Sequence, residues 1–132
     1  MNIIDGKITA IVSSGSLSKV EVMAGQHVFK TIVIDTPETN AYLRMDHSVK
    51  LLFKETEVAI GVGDLSNISL QNRIVGTIQK LELGDLQAKV TLETSVGNIT
   101  SIITVDAVQQ LQLKEKMNAT ALIKTNEVML SA

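Results

Sequence analysis

The side chains able to do covalent or acid-base chemistry are few and poorly arranged for it. His27 and His47 both fall in the first half of the chain, and neither has a ligand-type partner at metal spacing. Cysteine is absent, which removes disulfides, thiolate metal sites and a cysteine nucleophile together. Ser13, Ser14, Ser16 and Ser18 surround Gly15 as turn formers, outside any G-x-S-x-G context. Glu55, Glu57, Glu93 and Glu127 are scattered along β-type runs and do not pair as acid and base. The sequence therefore predicts a protein that is not an enzyme.

Anion recognition needs no reactive side chain. A tetrahedral dianion wants several neutral donors and one cation, which backbone N–H groups, hydroxyls, a lysine and a helix start can supply. Three segments offer these: Ser69-Leu70-Gln71-Asn72, the strand-to-helix junction at Thr104, and Lys124-Thr125-Asn126. Each also has a plain structural reading, as a linker turn, a helix cap and a solvated strand lysine. Spacing alone leaves both readings open.

Charge and composition narrow the partners. The net charge is −2, and no basic run occurs to track a phosphate backbone. Phe29, Tyr42 and Phe53 are the only aromatics, too few for a base-stacking surface. Nucleic acid is not an expected partner. The opening MNIIDGKITAIV lacks a basic n-region, a continuous apolar stretch and a cleavage site, and no segment is long enough to span a membrane. A cytoplasmic, membrane-free location is the expectation. No G-x-x-x-x-G-K-[ST] occurs, so a P-loop ATPase is not expected.

The elements that must position those donors come from a repeat. Sliding the chain against itself by 70 residues overlays 6–62 on 76–132 without a gap. Identical pairs include Gly6/Gly76, Ile8/Ile78, Val20/Val90, Leu43/Leu113, Lys54/Lys124 and Val58/Val128. Apolar class is kept at Ile11/Leu81, Val22/Leu92, Phe29/Ile99, Phe53/Ile123 and Ile60/Leu130. The division is 1–64 and 65–132, with a linker from Gly63 too short to separate the copies.

Within each copy the apolar period is mostly two, over Lys7–Val12, Ser18–Met23, His27–Ile34 and Val49–Lys54 and their counterparts. Thr36-Pro37-Glu38-Thr39 reads as a cap with proline at the first helical position, and Thr104-Val105-Asp106 as its partner. Each copy thus reads strand, strand, strand, short helix, strand, strand. The expected fold class is all-β with one short helix per repeat: two tandem five-stranded Greek-key barrels of the oligonucleotide/oligosaccharide-binding (OB) type. A barrel of about 65 residues is marginal alone, so oligomerisation is expected.

At these residues the chain resembles the molbindins and the TOBE or Mop-type modules, as a two-module member of that family. Ser69-Leu70-Gln71-Asn72 with Gly76 is similar to the family's opening S-A-R-N-x-x-x-G, Gly84 to Val90 to its G-A-V-N-A-E-V, Ile102-Ile103-Thr104 to its V-V-T, and Leu122-Ile123-Lys124 with Val128 to its closing I-K-x-x-x-V. The resemblance covers nearly the whole chain.

It implies cytoplasmic binding of molybdate or tungstate for storage, buffering or delivery to molybdenum cofactor synthesis, without a cofactor. The oxyanion would sit between modules, held by Ser69, Gln71, Asn72 and the Lys124-Thr125 pair of one and by Thr104 and Ala107 of another, in a trimer of two-module chains. Gln71 replaces the family's arginine, and Ala107 stands where a hydroxyl is frequent. In the first repeat only Asn2 and Lys54 survive, while Ile34 replaces the threonine. Fewer sites than in a symmetric member are therefore expected. The alternative is an OB-like regulatory or protein-docking module with weak or no anion binding.

Overall fold

The computed structural model describes all 132 residues. The first repeat forms β1 (Asn2–Ser14), β2 (Leu17–Ala24), β3 (His27–Val33), β4 (Ser48–Phe53) and β5 (Ala59–Gly61). The second forms β6 (Asn72–Leu83), β7 (Gln87–Thr94), β8 (Gly97–Thr104), helix α1 (Val105–Leu111), β9 (Asn118–Ile123) and β10 (Met129–Ser131). A 3-10 turn precedes each last strand, at Glu55–Glu57 and Thr125–Glu127.

Alternation sets which face is buried. Along β6, Asn72, Ile74, Gly76 and Ile78 point inward while Arg73, Val75, Thr77 and Gln79 face out. β2 buries Ser18, Val20, Val22 and Ala24 in the same way. β1 and β6 each carry a register shift at the same place, between Ile8 and Ala10 and between Ile78 and Lys80. Such a bulge bends the strand and lets each sheet curl. Gly6 and Gly76 lie just before it, where an added Cβ would stand 2.5 Å from Val22 Cγ1 and 2.7 Å from the Glu93 carbonyl oxygen. No other residue permits strands to approach so closely there.

The last strands cross between the repeats. One sheet has the order β10-β4-β1-β2-β3 and the other β5-β9-β6-β7-β8. Met129 pairs with Leu52 and Leu130 with Leu51, while Ala59 pairs with Leu122 and Ile60 with Ala121. Each curled sheet is then closed toward its far edge by one side-chain bond: Thr31 Oγ1 donates to the Val128 carbonyl at 2.6 Å, and Ser101 Oγ to the Val58 carbonyl at 2.5 Å. The result is two five-stranded OB-like barrels, each completed by the other repeat's chain. Their interiors merge into one cluster of 23 buried residues, from Ile4 and Ile8 through Phe29 and Phe53 to Ile99 and Ile123. Sharing a core answers the burial deficit of a small barrel.

The expected helix in the first repeat does not form. From Asp35 to His47 the chain runs through successive turns, and only the second repeat carries α1. The reason is local competition by short polar side chains. Thr39 Oγ1 and Asn40 Nδ2 donate to the Asp35 carboxylate, the Thr36 N–H is taken by Thr39 Oγ1, and the Tyr42 N–H by Asn40 Oδ1. In the second repeat these positions hold Val105, Asp106, Gln109, Gln110 and Gln112, and only Thr104 caps, accepting from the Ala107 N–H at 3.1 Å.

Candidate anion-binding site

Two of the expected anion donors are spent inside the molecule. Asn72 is fully buried; its Oδ1 accepts from the Lys30 N–H at 2.7 Å, and its Nδ2 donates to the Lys30 carbonyl at 2.8 Å. Asn2 does the same to Thr100, at 2.9 and 2.8 Å. Each amide thereby satisfies both backbone groups of one residue in the other repeat's third strand, which no ladder partner reaches. This is a buried polar pair with matched donor and acceptor. The 70-residue offset that relates Asn2 to Asn72 was the available signal for this role.

The remaining second-repeat residues lie at the two ends of the second sheet. Asn72 pairs with Ile123, so Ser69 and Gln71, before β6, emerge beside Lys124 and Thr125, after β9. Ser69 and Gln71 are exposed, and neither side chain is bonded within the chain. Lys124 begins the 3-10 turn with extended backbone, its carbonyl accepting from the Glu127 N–H, and its ammonium is exposed and forms no ion pair. Thr125 Oγ1 is 3.1 Å from Asn126 Oδ1. Thr104 pairs with Gln87 at the opposite end of the sheet, with Ala107 one helical turn on. From Asn72 to Leu83, β6 rises about 3.3 Å per residue, which separates the two groups by roughly 30 Å of strand. The two groups thus sit at opposite ends of one sheet.

Against the other repeat, each 3-10 turn packs on the third strand across the exchange, Thr125–Glu127 on β3 and Glu55–Glu57 on β8. Lys54 and Asn126 line a small cavity of about 170 Å³ with Glu57, Glu127 and Met129. Beside Lys54, the Met1 ammonium bonds the Glu55 carboxylate and holds it below the ordinary carboxylate range. No group of three or more His, Cys, Asp or Glu side chains is placed to hold a metal ion, and no helix is long and apolar enough to cross a membrane.

Sequence reasoning missed a groove of about 380 Å³ on the first-repeat side, where Ile32, Ile34, Asp35 and Tyr42 meet Asn126 and Leu130. The Tyr42 hydroxyl donates to the Leu130 carbonyl at 3.1 Å. Burial, and then the charge of Asp35, push the Tyr42 phenol above its usual range. Its signal in the sequence was negative: Ile34 and Asp35 stand where the second copy has Thr104 and Val105.

The family model described as TOBE domain matches residues 68–130. Molybdenum-pterin-binding protein 1 of Clostridium pasteurianum is 43% identical over 67 residues, covering 50% of this chain and 98% of that protein. Molybdenum-pterin-binding protein MopB of Rhodobacter capsulatus is 30% identical over 129 residues, 95% of this chain and 47% of MopB, so the chain spans about half of that relative. Among solved structures, the cytoplasmic molybdate-binding protein ModG, in a form with molybdate bound, overlays with a TM-score of 0.90 at 27% identity. That overlay covers 99% of this chain and 95% of ModG. With one relative matched over its whole length by half of this chain, and ModG matched end to end, the chain belongs to the Mop-type, TOBE-domain family as a two-module member.

Proposed function

We propose that this chain is a non-catalytic cytoplasmic binder of molybdate, and of the similarly sized and charged tungstate, which stores or buffers the oxyanion or delivers it to molybdenum cofactor synthesis. The observation that carries this reading is the end-to-end overlay on ModG, a cytoplasmic protein with molybdate bound. The exposed, unspent donors at Ser69, Gln71 and Lys124 agree with it. Molybdenum enters as an oxyanion, held by hydrogen bonds and not by metal-ligand bonds.

The anion sits between copies of the chain. Ser69, Gln71, Lys124 and Thr125 come from one copy, Thr104 and Ala107 from another, because these groups occupy opposite ends of one sheet. Asn2 and Asn72 act behind the site by fixing the strands, and Lys54 contributes charge near the Lys124 turn. A trimer of chains, each with repeats 1–64 and 65–132, brings six modules together and supplies such junctions. Without the family's arginine, Lys124 is the one cation among the direct donors, so its charge-assisted bond carries much of the affinity. Discrimination against sulfate would rest on cavity size, and against phosphate on how the site meets its proton.

Isothermal titration of the sized oligomer with molybdate, with sulfate as control, tests the reading. Tight uptake of molybdate alone is expected. Lys124→Ala weakens it about tenfold or more while leaving the fold intact. Equal affinity in that variant, or no heat from the unaltered protein, refutes the reading.

A further inference from the structure

The two ends related by the 70-residue offset differ in the one property that an anion senses most. At the second-repeat end, β8 finishes on the Thr104 hydroxyl, followed by the neutral Val105. At the first-repeat end, the same two positions hold Ile34, which is 80% exposed and offers no donor, and Asp35.

The Asp35 carboxylate is not neutralised. It accepts from two uncharged groups, Thr39 Oγ1 at 3.1 Å and Asn40 Nδ2 at 3.3 Å, and no lysine or arginine lies within ion-pair distance of it. Its charge reaches across the groove to the Tyr42 hydroxyl. The groove is otherwise apolar, lined by Ile32, Ile34 and Leu130 beside Asn126. The exchanged chain path thus places the second repeat's donor-bearing turn, through Asn126, against this acidic and donor-poor end of the first repeat.

From this we propose that Ile34 and Asp35 close the first-repeat end of the molecule to oxyanions, so that the chain takes up anion only through its Thr104 end. The inference rests on the molybdate-binding reading above. A dianion in this groove would face a carboxylate of like sign, and no lysine or arginine is among the residues that line it. Replacement of a hydroxyl by isoleucine would also leave one of the anion's oxygens without a donor. The pair therefore sets capacity: at most one molybdate per chain, where a chain with two working ends holds two.

Molybdate titrations of the assembled protein, with protein concentration fixed independently, decide it. The unaltered chain is expected to saturate at no more than one molybdate per chain, and Thr104→Val to lose all uptake. Saturation near two per chain, or half the uptake surviving in Thr104→Val, overturns the inference while leaving molybdate binding intact. The double variant Ile34→Thr with Asp35→Asn, which keeps the turn's hydrogen-bond shape, is expected to gain a second class of sites. Unchanged capacity in that variant, when its thermal unfolding matches the parent, also overturns it. No uptake by the unaltered chain refutes the anion-binding reading, and this inference with it.

Discussion

Residues 34–43 and 104–113 are equivalent segments of the two repeats, and they solve one packing problem with different backbones. The second is helix α1 and its exit; the first is a run of turns tied by Asp35, Thr39 and Asn40. Both deliver a leucine to the shared core, Leu43 with no exposure and Leu113 with 5%. The barrel therefore needs an apolar plug at this position, and any backbone that carries one will serve. A cap and a well-placed proline did not make a helix at Thr36-Pro37, because the side chains that follow offer closer partners than the next helical turn. The segment freed from helical geometry is also the one in which Ile34 stands where the second repeat has Thr104.

Removing the plug should hurt both repeats alike, and this is the largest effect expected. Leu43→Ala and Leu113→Ala should each cost about 3 kcal/mol, the usual loss for a leucine deleted from a close-packed core. Urea unfolding of the two variants at equal protein concentration measures it. A large loss for Leu113→Ala beside a negligible one for Leu43→Ala would show that the turns do not replace the helix.

The amide clamps come next and sharpen the comparison, since they are chemically identical in the two repeats. Asn72→Ala strands the N–H and C=O of Lys30, and Asn2→Ala those of Thr100. Each should cost about 2 kcal/mol, with Asn72 the dearer of the two because it is fully enclosed while Asn2 is 7% exposed. Hydrogen exchange at the Lys30 and Thr100 amides provides a local readout. Exchange that stays slow in the alanine variants would mean that another group protects these amides.

The strands were legible because alternation and the repeat spoke together: an inward Ile8, Val20 and Val22 recur as Ile78, Val90 and Leu92. The exchange of β5 and β10 was not legible. Val58 and Ile60 match Val128 and Leu130 in class, so either last strand presents the same apolar face to β4 or to β9. A pattern common to both copies cannot say which copy it serves. The same degeneracy affected the site. An asparagine beside Lys124 reads equally well as an anion donor or as a backbone clamp, and only the third-strand backbone across the exchange, at Lys30, decides between them. Ser69, Gln71 and Lys124 were legible as a group because pairing of Asn72 with Ile123 follows from strand order.

The smallest expected effect concerns pH and belongs to the first repeat alone. His27 opens β3 with its ring edge-on to Phe29 at 4.7 Å, and its Nε2 is buried without a partner. Burial disfavours the imidazolium and lowers the pKa below the ordinary 6.5. The unfolded chain therefore binds its proton at higher pH than the folded one, and stability falls as pH drops through the unfolded value. The second repeat has Gly97 at the equivalent position and contributes nothing in this window. Glu55, whose pKa is lowered as well, loses its contribution only in the carboxylate range further down. Between about pH 7.5 and about pH 5.5, His27→Leu should flatten the decline in melting temperature expected of the unaltered protein. If the decline is the same in both, the acid sensitivity lies in a group other than His27.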